Sequence, residues 1–450
     1  MPVVPGPMPY RPGDRSLDVS MLLSLWFLAL LCSLAAVVVA LWVALGVRRR
    51  RRRRGGAPVL HGWKLALARA GLSLAVLALV LASIADGVNR HFSYIPSFAA
   101  LRGHYSPYVV KGHVNTGQVA LGPAATVPDH GTVEQVSVPG EASGIGPRKT
   151  YVYLPPQYFD PAQQYRRFPV LYLIHGSPGT SDDWLRGGYI DRSMDRLIRE
   201  GTIDPFIVVL PDVNGGYRRD VECNDVVNGP QAQTYLVTDV VHWVDGHYRT
   251  VPDRTGRAIG GLSTGGYCGL NLTFRHQDVY SAAVSHSGYG RPDRNAYTGD
   301  LFGSDKARRD ANTPDTYLPT IPLQLPIGVY LDAGSGDGES RRAGAGLYDV
   351  LHRRGVTVTF NVVDGESHDF VAWRRNLRLS LPWVSQWFRS DGATSGRTTV
   401  AAPDTSDLPP PSPTDVELVH HPVAPRAKRP AAGPTGTTKP VAPSIAVPKR

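Results

Sequence analysis

One stretch constrains the fold of this chain more than any other: residues 257–274, which contain Gly261-Leu262-Ser263-Thr264-Gly265. Arg257–Leu262 reads as a short buried strand and 264–274 as a helix. A Gly-x-Ser-x-Gly between the two places the serine on a strained strand-to-helix turn, with its hydroxyl exposed at the top of a parallel sheet. The glycines serve where neighbouring backbone comes too close for a side chain. The same pattern also occurs as a plain glycine-rich turn with a surface serine, so the flanking elements decide between the two.

Those elements alternate. Strands are expected at 132–138, 149–154, 170–174, 206–210, 257–262, 282–285, 327–331 and 356–362. Helices are expected at 189–200, 231–247, 264–274, 341–353 and 371–388. Such alternation predicts an α/β domain over 131–389, a mostly parallel sheet covered by helices on both faces. Ligands in such sheets sit at the carboxyl ends of the strands. Residues 290–325, rich in Pro, Asp and Arg, read as an irregular insertion that would wall the site.

The N-terminal part reads differently. After a head at 1–20, residues 21–47 form an uncharged apolar run long enough to span a bilayer. An arginine-rich loop follows at 48–64, with an unbroken arginine run at 48–54, and a second apolar run occupies 65–85. Arg69 can snorkel to the interface, and Trp42 and Trp63 sit where interfacial aromatics are expected. The positive-inside rule keeps the arginines in the cytoplasm. The expectation is a two-pass plasma-membrane hairpin with the α/β domain on the extracytoplasmic side. Ser83-Ile84-Ala85 is a weak match to a signal-peptide cleavage site. Residues 86–130 read as an aromatic-containing linker. The stretch 390–450, rich in Pro, Thr and Ala without periodicity, reads as a disordered tail.

The formal charge of +10 is consistent with nucleic acid or an anionic membrane. Because much of it lies between the two apolar runs, the bilayer is the expected partner and nucleic acid is not. Of three cysteines, Cys32 lies in an apolar run; Cys223 and Cys268 form one disulfide or remain two thiols. No metal-ligand spacing stands out, and no metal or cofactor is expected.

Serine acyl chemistry requires a base, a carboxylate to orient it and two N–H donors for the oxyanion. In this topology the chain order is Ser, then Asp or Glu, then His. His368, between the last strand and last helix, is the base candidate; His286 is the lesser one. Asp337 is the acid candidate, with Asp332 and Glu339 as competitors. The oxyanion donors are expected to be the backbone N–H groups of Thr264 and Ser177; Pro178 has none to offer. Asp212, His175 and Trp184 are candidate substrate-pocket residues, and Asp212 serves equally as a turn former.

Val170-Leu171-Tyr172-Leu173-Ile174-His175-Gly176, the Gly261–Gly266 elbow, Gly334-Ser335-Gly336-Asp337 and Gly365-Glu366-Ser367-His368-Asp369-Phe370-x-x-Trp373 together resemble the esterase D / feruloyl esterase / mycolyltransferase group of α/β-hydrolases, over about 130–389. The resemblance implies the α/β-hydrolase fold and a triad of Ser263, Asp337 and His368, with Ser177 and Thr264 at the oxyanion. Within the group the chain is most similar to membrane-tethered envelope members from actinobacteria. Mycolyltransferases carry an arginine in the oxyanion loop, and 177–184 has none. The expected function is an extracytoplasmic serine esterase or acyltransferase acting on an ester or acyl-lipid substrate. A mycolyltransferase-like enzyme and a catalytically silent envelope-binding protein are the alternatives.

Overall fold

The computed structural model describes residues 21–54, 62–95, 98–101, 109–112, 128–215, 220–295 and 297–390. The expected head at 1–20 and the tail beyond Ser390 lie outside the described residues.

Two long helices come first, α1 (Leu25–Arg54) and α2 (Gly62–Phe92), packed on each other. Within them, Leu25–Arg48 and Trp63–Phe92 are long and apolar enough to cross a membrane, with hydropathies of 2.7 and 2.2. Both helices outrun the apolar stretches at 21–47 and 65–85. Arginine is a good helix former, so α1 continues through the run at 48–54. No proline interrupts α2 before Phe92. The guanidinium of Arg69 lies 4.3 Å from the Trp42 ring centroid, a cation–π contact across the hairpin.

The chain leaves α2 through a tight turn. Ser93 takes φ 51°. Asn89 clamps the turn twice: its Nδ2 donates to the Ile95 carbonyl (2.9 Å) and its Oδ1 accepts from the Ile95 N–H (2.6 Å). A short helix α3 (Phe98–Leu101) follows.

Nine strands build one sheet: β1 (Val109–Lys111), β2 (Thr132–Val138), β3 (Arg148–Leu154), β4 (Val170–Ile174), β5 (Ile207–Pro211), β6 (Arg257–Leu262), β7 (Ala282–His286), β8 (Gly328–Gly334) and β9 (Thr357–Val363). Their order is β1-β2-β3-β5-β4-β6-β7-β8-β9. β3 runs antiparallel to both its neighbours, and every other described pairing is parallel. β1 comes from the region expected to be linker. Its three residues carry no legible alternation.

The faces are covered by α4 (Asp183–Arg186), α5 (Ile190–Arg199), α6 (Ala232–Thr234), α7 (Val241–His247), α8 (Thr264–Arg275), α9 (Lys306–Ala311), α10 (Pro314–Tyr317), α11 (Gly338–Arg353) and α12 (Phe370–Arg389). A π-helical segment, Tyr235–Val240, joins α6 to α7, so the helix expected at 231–247 is one rod with a wide turn inside it. β4 shows how the layers form. Val170, Tyr172 and Ile174 enter the core beneath one set of helices, while Leu171 and Leu173 enter the other with Trp184, Leu377 and Leu381. All five β4 residues are buried, as they must be in a strand covered on both faces.

Candidate active site

Ser263 sits between β6 and α8 with φ 53° and ψ −116°, a conformation outside the regions L-residues favour. Both glycines of the elbow are sterically required. A Cβ on Gly261 would lie 2.2 Å, and one on Gly265 2.4 Å, from the Ile174 carbonyl oxygen. That oxygen is itself held by the indole N–H of Trp184 at 2.9 Å. The serine N–H donates to the His286 carbonyl at 2.8 Å, which fixes the turn against β7.

The loop after β9 carries His368, whose Nδ1 lies 2.7 Å from Asp337 Oδ2. Asp337 caps α11 by accepting the Ser340 N–H at 3.2 Å. Burial disfavours its charge, but the imidazole and the Ser340 amide outweigh that and hold the carboxyl below its ordinary value. With Nδ1 engaged by the carboxylate, Nε2 is the other ring nitrogen available for proton transfer. His368 and Ser263 line the same cavity. Among the described residues no direct hydrogen bond joins Ser263 Oγ to the ring; such contacts are commonly long in unliganded enzymes.

The acid competitors are placed elsewhere. Asp332 is buried under the sheet end, with Oδ2 2.6 Å from His286 Nδ1 and Oδ1 accepting from Asn376 Nδ2 at 2.6 Å. Burial pushes its carboxyl up, and the His286 partner only partly offsets this. His286 Nε2 faces Ser380 Oγ at 3.3 Å. This second Asp–His pair is sealed in the core. Glu339 is exposed.

Of the two proposed oxyanion donors, Ser177 lines the cavity. Thr264 opens α8, so its N–H is among the first-turn amides without an intrahelical acceptor. Its hydroxyl is held behind the site by Asp220 Oδ2 (3.3 Å) and the Tyr289 phenol (3.1 Å). Glu222 closes this network, accepting the Asp293 N–H on both oxygens at 3.0 Å. Burial, with Asp220 adding to it, pushes Glu222 up to about 9.

Three expected pocket residues do not reach the cavity. His175, Trp184 and Asp212 are buried and are not among its lining residues. His175 Nδ1 bonds the Gly176 carbonyl at 2.8 Å, and its Nε2 accepts the Val213 N–H at 3.2 Å. Asp212 accepts the amides of Asn214 and Gly215, forming the turn that its sequence also allowed. The insertion at 290–325 includes α9 and α10, and none of its described residues lines the cavity.

The wall comes from α2 and the segment after it instead. A cavity of about 520 Å³ opens at Ser263. One side is Gly176, Ser177, Pro178, Leu262, His368, Phe370 and Trp373 of the α/β domain; the other is Ala85, Val88, Asn89 and Phe92 of α2, with Tyr94 and Ile95. The Tyr94 hydroxyl donates to Asp183 Oδ1 at 2.5 Å, and its ring packs edge-on to Phe370. Burial raises Asp183 to about 6, against the opposing effects of His175 and the Tyr94 hydrogen bond. The α2 residues recur at i, i+3, i+4 and i+7, the signature of one helix face. In the sequence Ala85 ends the apolar run at 65–85 and the other positions are interleaved with Asp86, Arg90 and His91, so the face is not legible there.

A disulfide joins Cys223 to Cys268, with Cα atoms 5.6 Å apart, and ties the segment after β5 to the helix behind Ser263. Cys32 is free and exposed.

The family model described as "Putative esterase" matches residues 145–384. The chain belongs to this esterase family. Its fold is that of the α/β-hydrolases: a solved ferulic acid esterase superposes with a TM-score of 0.50 at 25% identity, covering 58% of this chain and 99% of that one. An uncharacterized protein of Corynebacterium glutamicum is 30% identical over 309 residues, 63% of this chain and 71% of that protein. An endo-1,4-beta-xylanase/feruloyl esterase of Xylanibacter ruminicola is 29% identical over 55% of this chain but only 31% of its own length. An acetyl esterase of Caldicellulosiruptor saccharolyticus is 26% identical over 48% of this chain and 83% of that protein. The relationship supports carboxylic ester hydrolysis.

Proposed function

We propose that this esterase is a membrane-anchored serine hydrolase in which Ser263 is the nucleophile, His368 the base and Asp337 its orienting carboxylate. The reading is carried by the Asp337–His368 contact at the same cavity as an elbow serine held at φ 53°. His368 Nε2 takes the Ser263 proton as Oγ attacks the ester carbonyl. The N–H groups of Ser177 and Thr264 receive the developing oxyanion. The imidazolium returns its proton to the leaving alcohol, and a water activated by the same base releases the acid. Acetyl and feruloyl esterases among the relatives favour water over an alcohol as acceptor.

The two apolar helices and the arginine run between them support a hairpin with the arginines in the cytoplasm. The enzyme then works on the extracytoplasmic side, where a Cys223–Cys268 bridge persists. A fluorophosphonate probe applied to the full chain in detergent should label the wild type and not Ser263→Ala. Folded wild-type protein that stays unlabelled would overturn the reading and favour a catalytically silent binding protein.

A further inference from the structure

The cavity wall formed by α2 is what the esterase reading leaves unexplained. A soluble esterase would have no need to borrow half of its pocket from an apolar helix. Here Ala85, Val88, Asn89 and Phe92 present one stripe of α2 to the nucleophile. The Asn89 clamp and the Tyr94–Asp183 hydrogen bond fix that stripe to the oxyanion side of the α/β domain.

The length of α2 says where this happens. Ala85 lies about 33 Å along the helix from Trp63 at ~1.5 Å per residue, and a bilayer's hydrocarbon core is about 30 Å thick. With Trp63 at the cytoplasmic interface, the stripe begins where hydrocarbon ends on the other side. Asp86 and Arg90, the charges in this part of α2, lie in the same last turns. The cavity mouth therefore meets the outer surface of the bilayer. The α2 face beyond it, with Leu77, Leu81 and Ile84 exposed, continues into lipid. Its volume lies in the ~300–1,000 Å³ range of sites that enclose a small ligand, and Val88, Phe92, Ile95, Leu262, Phe370 and Trp373 offer apolar contact.

Building on the serine esterase reading, we infer that this site takes the fatty acyl ester of a lipid resident in the same membrane, with the acyl chain held between α2 and the catalytic loops. Ser263 Oγ bonds to the acyl carbon, the carbon–oxygen bond to the lipid alcohol breaks, and the proton passes through His368 to that alcohol. Water then cleaves the acyl-enzyme, releasing the fatty acid and restoring the serine.

The test uses the full chain in nanodiscs with p-nitrophenyl acetate, octanoate and palmitate, and with a fluorogenic diacylglycerol placed either in the enzyme's own disc or in separate vesicles. The wild type should prefer the longer acyl chains and cleave the lipid in its own bilayer. Val88→Trp should lower the octanoate-to-acetate ratio of kcat/KM about tenfold, since excluding even two methylenes forfeits that much. Phe92→Ala should move the preference towards palmitate and guards against a folding failure in the first variant. Leu77→Trp, on the same helix but outside the cavity, should leave the ratio unchanged. An unaltered ratio in both cavity variants would overturn the inference, as would cleavage of soluble esters without cleavage of bilayer lipid. Wild-type protein that fails to react with fluorophosphonate and turns over no ester would overturn the esterase reading itself, and this inference with it.

Discussion

The phenol of Tyr94 and the carboxylate of Asp183 meet at 2.5 Å across 89 positions of sequence. Tyr94 follows α2, and Asp183 begins α4. Through this pair the segment after α2 is joined to the start of α4 beside the cavity. Asp183 also accepts the Thr180 N–H at 3.2 Å, so the loop before α4 and this junction are coupled.

Tyr94→Phe removes the donor and leaves the carboxylate buried. A hydrogen bond to a charged group is worth roughly 1.5–3 kcal/mol. The variant should melt several degrees lower above pH 6, where Asp183 is ionised, and the deficit should shrink towards pH 4. In the wild type the raised Asp183 value means that the folded state binds the extra proton, so this group's contribution to stability falls as pH rises from about 4 to 6. Thermal melts of both proteins across that range check the sign.

Asp337→Asn and Asp332→Asn should separate catalysis from folding. The first leaves His368 in place without its orienting charge, and kcat should fall by on the order of 10³–10⁴ with little change in melting temperature. The second breaks a buried pair with His286 and should cost roughly 3–5 kcal/mol. Denaturant midpoints beside single-turnover rates distinguish the two.

Glu222 predicts an alkaline effect. With its value raised to about 9, the folded protein keeps it protonated where the unfolded chain ionises it. Stability from this group is fully present below about 4.5 and is lost as pH rises towards 9. Glu222→Gln should flatten that slope and raise the melting temperature most near pH 9, as differential scanning fluorimetry would show.

The disulfide closes a loop of 45 residues in sequence separation. Chain-entropy arguments give about 4 kcal/mol for such a loop. Reduction, or Cys223→Ala with Cys268→Ala, should lower the melting temperature accordingly, with Ser263 still reactive towards fluorophosphonate at low temperature.

Most of the α/β domain was legible because its signals are local. The five buried residues of β4, the Gly-Ser-Gly elbow and the His368 loop each announce themselves within a few positions. Strand ends shifted by a residue or two, as at β8, which begins at Gly328 and runs to Gly334 rather than over 327–331. The α2 side of the cavity was not legible. Val88 and Phe92 read as linker residues, because Asp86, Asn89, Arg90 and His91 break the apolar run where α2 nevertheless continues to Phe92. Misplacing the wall at 290–325 has its own origin: a Pro-rich insertion near a catalytic loop resembles a lid until its packing is known. Asp212 looked like a pocket residue because it ends a strand at the right edge; its carboxylate instead accepts the Asn214 and Gly215 amides and lies 3.7 Å from His175 Nε2.

The clamp between Asn89 and Ile95 has a bearing on how this enzyme could be shed. Ser83-Ile84-Ala85 lies inside α2 and ends on the first residue of the stripe that lines the cavity. On the proposed hairpin, a protease cutting there would free the α/β domain from the membrane and remove Ala85 and the helical support of Val88 and Phe92. On the proposed anchoring and the inferred acyl-chain site, the released fragment would keep its serine and lose the ruler for its substrate, so a soluble form would discriminate less between acyl chains.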